Sequence, residues 1–335
     1  MTELALAGLS GTNPLGAMAA FGLLRILANE DPFGPAKLAW DFDVDWHPRL
    51  HLEKTCKLDQ VIDFLIDRQP TRTKAPFLSW NDDIKSSPEV FRDLWEAVRR
   101  NYDCQDDGEA EETAETATFL AAFGSEAVKD KKARPDVKPT AFHMTAGQQR
   151  FLKSVKEVAD SLDPRGRSAK RQTAQDRRTE LRQAYETALS GPWTYRDTQH
   201  SLGWDPTTEG LHALSDISPS EARPKSVRAA VWLAFESLPL FPAVPSRKRL
   251  HTTGFDANGS RLTWPLWEPA ISVDTLRVLL GSLELCAEPP ATRELDLRGV
   301  RVVLTSHCVR DANGRGTFRN AVGIHGYYDG AWRPG

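Results

Sequence analysis

Apolar positions in this chain switch between a helical period and an alternating one, and the first long block is the most telling. From Gly8 to Leu27, Leu15, Met18, Ala19, Leu23, Ile26 and Leu27 recur at helical spacing, while Gly16, Ala17, Ala20 and Gly22 keep the other flank small. Asn13 and Pro14 read as N-cap and first helical residue, where proline's missing N–H goes unused and its fixed φ suits a helix. Glycine and alanine on one flank make such a helix weak by itself, so neighbours must pack close to its backbone. The pattern predicts a buried small-residue helix that serves as the hub of the core. Gly8-Leu9-Ser10-Gly11-Thr12, just ahead, has the glycines of an anion loop but neither a Gly-Lys-Ser/Thr ending nor G-x-G-x-x-G spacing, and reads as a turn.

Further along, Lys37 to Val44 alternates with period two and predicts a strand, with a hairpin turn over His47-Pro48-Arg49-Leu50-His51 and a partner beginning at His51 and Leu52. Helical spacing returns over Leu58 to Leu65, and again from Ser87-Pro88 to Arg100, where Val90, Phe91, Leu94, Trp95 and Val98 form the buried side. Thr145 is placed to cap a helix carrying Phe151, Leu152, Val155, Val158, Ala159 and Leu162, and a polar helix follows the Asp163–Gly166 turn as far as Leu189. Val227 to Leu238 predicts a second buried helix, ended by Pro239, Pro242 and Pro245. Leu250 to Thr253 and Arg261 to Trp264 are expected to pair across Asp256-Ala257-Asn258-Gly259, and Ser272 to cap a helix with Val273, Leu276, Leu279, Leu280 and Leu283 apolar. Val300 to Leu304 and Thr317 to Ile324 flank a turn whose tip carries Arg310, Arg315 and Arg319. The sum is an α+β fold of mixed helices with small antiparallel sheets. Three regions are expected: 1–128, 129–190 and 191–335, the last sharing a core with the first.

Composition adds one thing that the pattern hides. At 335 residues and 40% apolar content the chain can bury a sizeable core, and its net charge is only −3. That near-neutrality is the sum of two opposed blocks. Residues 101–128 hold eight acids and no Lys or Arg, and read as an acidic linker. Lys129 to Arg182 holds fifteen Lys or Arg against seven Asp or Glu, a local net of +8. A charge run is commonly a solvated face. The competing reading is a patch that tracks phosphates, made of Lys170, Arg171, Arg177, Arg178 and Arg182, with a second cluster at Arg247-Lys248-Arg249. Gln148 and Gln149 are candidates for hydrogen bonds to base edges or backbone. No apolar run reaches the length of a membrane span, the N-terminus has no basic n-region, and Cys56, Cys104, Cys286 and Cys308 form no close pair. A cytoplasmic protein without a zinc or redox site is expected.

Catalytic patterns are sparse. Neither G-x-S-x-G, a phosphate loop nor H-E-x-x-H occurs. Asp41, Asp43 and Asp45 place three acids on one side of the predicted strand, close to His47 and His51. Those residues support an alternative reading as a metal-dependent nuclease, and a third reading is a scaffold for an acidic partner. The balance favours a binding protein, with no catalytic residues and no cofactor.

The stretch Asn13-Pro14-Leu15-Gly16-Ala17-Met18-Ala19-Ala20-Phe21-Gly22-Leu23-Leu24-Arg25 resembles the opening of proteins from type I-G (formerly I-U) CRISPR loci. Thr145-Ala146-Gly147-Gln148-Gln149 is similar to that family's mid-chain Ala-Gly-x-Gln element, and Leu240-Phe241-Pro242 followed by Trp264-Pro265-Leu266-Trp267 matches its later order. The likeness covers three separated blocks. Ala-Phe-Gly stands where the family pattern has Cys-Cys-Gly. The resemblance implies a non-catalytic large subunit of an RNA-guided surveillance complex. Its partners would be guide RNA, target DNA, the other subunits of the complex, and a helicase-nuclease that does the cutting.

Overall fold

The computed structural model describes residues 2–102, 107–128, 136–166, 172–207, 225–246 and 249–326. β1 (Thr2–Ala5) leads through a turn into α1 (Pro14–Glu30). Asn13 caps that helix, its side-chain oxygen accepting from the Leu15 N–H at 2.9 Å, with Pro14 in the first turn. Every residue from Pro14 to Leu27 is buried, so the helix is enclosed on all sides rather than on one stripe. Gly22 shows how: a Cβ there would stand 1.8 Å from the Leu233 carbonyl oxygen, so the two helix backbones touch. Gly16 likewise lets the Ser10 carbonyl approach to 2.3 Å of a Cβ position.

β2 (Ala36–Phe42) and β3 (Trp46–Leu52) follow, and β3 sits between β1 and β2 in an antiparallel sheet. The expected turn over His47–His51 is therefore a strand. The reversal comes earlier, at Asp43–Asp45, because the Asp45 carboxylate accepts from the Ser10 and Thr12 hydroxyls and the Trp46 N–H. α2 (Leu58–Arg72) runs further than its apolar stripe suggested and contains Pro70. α3 (Pro76–Ser79), α4 (Pro88–Tyr102) and α5 (Asp107–Phe123) come next. α4 buries Phe91 and Val98, but Val90 is exposed. The acidic stretch is not a linker: α5 turns Phe119, Leu120 and Phe123 into the core and leaves Glu111 and Glu112 in solvent. Phe119 stacks on Phe77 at 3.9 Å between ring centroids and on Phe235 at 5.2 Å.

After the two-stranded pair β4 (Gly124–Ser125) and β5 (Lys138–Pro139) come α6 (Phe151–Ser161) and α7 (Ala174–Ser190), the latter capped by Thr173. Arg150, not Thr145, occupies the N-cap position of α6. α8 (Arg228–Glu236) is the second buried helix, and it lies against α1 as the Gly22 approach requires. β6 (Ala243–Ser246) pairs with β7 (Arg249–Thr252). The chain reverses over Asp256–Gly259 as expected, with Phe255 bridging Leu262 and the Thr263 N–H donating to the Gly254 carbonyl, but Leu250–Thr252 pair with β6 and not with Arg261–Trp264. Along its whole length β8 (Arg261–Trp267) pairs with β9 (Val300–Arg310), burying Leu262, Trp264, Leu266 and Trp267. α9 (Val273–Leu280), α10 (Leu283–Cys286) and α11 (Thr292–Leu297) lie between those strands in sequence, with Ser272 capping α9 as predicted. β10 (Gly316–Phe318) and β11 (Val322–Gly326) complete the sheet around β9.

This is an α+β fold, and one hydrophobic cluster runs from Leu6 to Phe318 through all three regions expected from the sequence. Two indoles stitch it together: Trp264 donates to the Gly11 carbonyl at 3.0 Å and Trp267 to the Leu38 carbonyl at 2.8 Å. Inside the core lies a charged cluster that no apolar pattern announces. Glu236 of α8 is completely buried and accepts from Arg72 at 2.9 Å, Arg68 at 3.1 Å and Arg25 at 3.2 Å. Glu115 closes on Arg25 and Arg72, and Glu30 on Arg68. Three cations meet three carboxylates, which is what makes their burial tolerable. No described helix is long and apolar enough to cross a membrane.

Candidate nucleic-acid interface

Residues 140–150 run without regular structure between β5 and α6, yet they are firmly anchored. Phe142 is buried against Phe255 and Phe241, at 4.9 and 5.1 Å between centroids, and its carbonyl accepts from the Trp204 indole. On one side the Ala141 N–H donates to Thr252 Oγ1 of β7 at 3.0 Å. On the other, the Gly316 N–H donates to the Met144 carbonyl at 2.8 Å, and Arg310 to the His143 carbonyl at 3.3 Å. The segment is thus pinned between the β6–β7 hairpin and the tip of the β9–β10 hairpin. It forms the floor of an open cleft of about 880 Å³.

Five cations line that cleft: Lys85, Lys138, Arg150, Arg249 and Arg310. Their neutralisation is uneven. Lys138 is paired with Asp136 at 2.5 Å, and Arg150 reaches Asp83 only at 3.9 Å. Arg249 donates to the Asn258 side chain and Arg310 to the Gly314 and His143 carbonyls, all neutral acceptors. Among the described residues Lys85, Arg249 and Arg310 have no carboxylate partner, although all three are exposed. Their charge is left to the cleft. Concave walls with one sign of charge concentrate the field that draws in an anion.

The acid of the cleft is Asp83. Burial would raise its carboxyl, but the His143 hydrogen bond at 2.7 Å, the His143 charge and the N–H groups of Phe151 and Ile84 outweigh that and hold it below the ordinary carboxylate range. His143 also stacks on Phe151, at 5.5 Å between centroids. The pair ties the segment before α4 to the floor of the cleft.

The sequence candidates divide sharply against this geometry. Gln149 and Arg249 line the cleft, and Gln148 lies exposed beside it. Arg177 is not a surface group. It is 8% exposed, donating to the Ser161 and Asp163 carbonyls and to Glu180. Arg178 is bound by Asp67 at 2.6 Å and Asp63 at 2.8 Å, and Arg182 by Asp63. The phosphate-tracking patch expected on α7 is thus met by Asp63 and Asp67 of α2, which leaves it little charge to offer phosphate. Lys170, Arg171, Arg247 and Lys248 lie outside the described residues. Sequence reasoning missed Lys85 and Lys138, which no pattern singles out. It noted Arg310 only as a hairpin tip and Arg150 only as the end of the Thr145–Arg150 segment.

The alternative metal site does not assemble. Asp41 is bound by Arg49 at 2.7 Å, His47 Nδ1 lies 3.0 Å from the Leu9 carbonyl and His51 lies 3.3 Å from Glu3. Among the described residues no three His, Cys, Asp or Glu side chains come together to hold a metal. No protein-family model matches the chain, and no curated protein matches it.

Proposed function

We propose that this chain is the non-catalytic large subunit of a cytoplasmic, RNA-guided type I CRISPR surveillance complex, and that the basic cleft is where it grips nucleic-acid backbone. The observation that carries the reading is the set of uncompensated cations. Lys85, Arg249 and Arg310 converge from three distant segments on the loop that contains the Ala-Gly-x-Gln element. Cations that meet no carboxylate among the described residues attract phosphate to a concave site and release its counterions. In such an assembly, pairing with the guide reads the sequence, while the protein reads backbone and the motif flanking the target. The subunit would then hold the opened DNA and present it to the helicase-nuclease for antiviral defence.

The test is co-purification of the tagged chain from cells that carry its native gene neighbourhood, with the bound RNA sequenced. Uniform short guide RNAs and stoichiometric companion subunits are expected. A chain that purifies alone and without RNA overturns the subunit role. Mg²⁺-dependent cleavage by the isolated chain, lost in Asp43→Ala, would favour the nuclease alternative. Capture of an acidic protein with no affinity for nucleic acid would favour the scaffold.

A further inference from the structure

Two side chains lining the cleft hold oxygens that have been withdrawn from water and given no hydrogen-bond partner among the described residues. Thr145 is 4% exposed, and its Oγ1 makes no hydrogen bond. Gln149 is half-buried, and its Oε1 is in the same position. Between them Gly147 turns the chain at φ +65°, and among the described residues nothing lies within 4 Å of where its Cβ would stand. A buried acceptor left unpaired carries the full cost of its desolvation, and a ligand that satisfies it recovers that cost.

We propose that the cleft seats one unpaired nucleotide, with its base edge on Gln149 and Thr145 and its phosphate on Arg150, Arg249 and Arg310. The proposal rests on the reading of the cleft as a nucleic-acid site and names which part of the ligand enters it. Three features point this way. Base edges inside a duplex are read by a convex element that enters a groove, a helix or a strand pair. Here the residues that carry the unsatisfied oxygens line a concave surface, so the base must come to the protein, which requires it to be unpaired. The volume, about 880 Å³, falls within the range of sites built around one small ligand. Finally, the polar pair and the cations are segregated. Thr145 and Gln149 belong to the anchored loop, while Arg249 and Arg310 stand on the two flanking hairpins, as a base with its phosphate at the rim would need. Both oxygens are buried as they stand, so contact with the base requires the Thr145 hydroxyl and the Gln149 amide to rotate toward the cleft.

The experiment compares a fluorescent single-stranded 12-mer with a 12-mer of the same charge made entirely of abasic linkages, in anisotropy titrations with the full chain. The normal strand is offered in deoxyribose and ribose forms, so that the tighter form names the source. The wild type is expected to bind the strand with bases about fivefold more tightly, the worth of a net hydrogen bond or two. Gln149→Leu, and separately Thr145→Val, should bring that strand down to the abasic level without changing the salt dependence. Gln149 is half-buried, so its variant is expected to melt like the wild type, which keeps the test valid if Thr145→Val fails to fold. Equal affinity for both strands, with Arg249→Ala and Arg310→Ala still weakening each, overturns the base pocket and leaves the cleft reading standing. If those arginine variants change nothing either, the cleft reading fails with it.

Discussion

Glu236→Gln keeps the shape of the side chain and removes one charge from the centre of the core. Burial alone would push the Glu236 carboxyl up. The charges of Arg72, Arg68 and Arg25 outweigh it and hold the group at about 2, against 4.5 for an ordinary glutamate. That difference is worth roughly 3 kcal/mol at neutral pH, and breaking one side of a buried ion cluster costs about 3–5 kcal/mol by a separate route. Either figure is a large share of a typical stability of about 5–15 kcal/mol. The amide would also turn an N–H₂ toward guanidiniums that only donate. Because the folded-state value is depressed, the stabilisation is complete above about 4.5 and is lost as pH falls toward 2. Urea unfolding followed by circular dichroism should therefore show a gap of about 3 kcal/mol between wild type and variant at pH 7, narrowing through the acid range where both still fold. A gap below about 1 kcal/mol at pH 7 would refute the argument that Glu236 is what makes three buried arginines tolerable.

Other perturbations follow from single contacts. Gly22→Ala places a methyl 1.8 Å from the Leu233 carbonyl, so α1 and α8 must separate, and thermal melting should show a loss of at least about 1–3 kcal/mol. His200 is kept neutral by burial and by Arg315, titrating at about 4 instead of 6.5, and its Nδ1 accepts from the Leu202 N–H at 2.8 Å. Between those two pH values the unfolded chain takes up a proton that the folded chain refuses, so stability should decline as pH falls from 6.5 to 4. His200→Asn should flatten that stretch of the pH–stability curve. Arg178→Ala with Arg182→Ala removes partly exposed pairs to Asp63 and Asp67, and should cost no more than about 1 kcal/mol each in urea unfolding.

Local signals carry furthest where cap and helix are adjacent in the chain; Thr145, well ahead of α6, has the cap chemistry but Arg150 takes the position. Asn13-Pro14 capped a helix because both requirements sit within two residues, and the small flank of that helix did foretell a close backbone approach at Gly22. Ser272 and the turn ahead of β10 belong to the same class. The errors arose where a distant partner decided. Asp45 set the β2–β3 turn through Ser10 and Thr12, more than thirty residues away, so Pro48 ended up in a strand. The acids of α5 concealed a buried aromatic edge whose partner, Phe235, lies in another helix. The candidate site shows the same division. Charge density along the sequence pointed to Arg177, Arg178 and Arg182, but free charge depends on what stands opposite, and there α2 and the turn before α7 had already answered. The uncompensated cations came from isolated positions such as Lys85 and Arg310, which only the tertiary fold brings together.

The central claim is that the cleft, and not the arginine-rich face of α7, holds phosphate. The most direct measurement is anisotropy of a labelled single-stranded oligonucleotide over a salt series, with wild type, a Lys85→Ala/Arg249→Ala/Arg310→Ala variant and an Arg178→Ala/Arg182→Ala variant. The cleft variant is expected to bind more weakly, with its slope of log K against log salt falling by roughly 0.7 for each phosphate contact removed, about 2 in all, while the α7 variant follows the wild type. A cleft variant with unchanged affinity and slope, or a loss that appears only with Arg178 and Arg182, would contradict the claim.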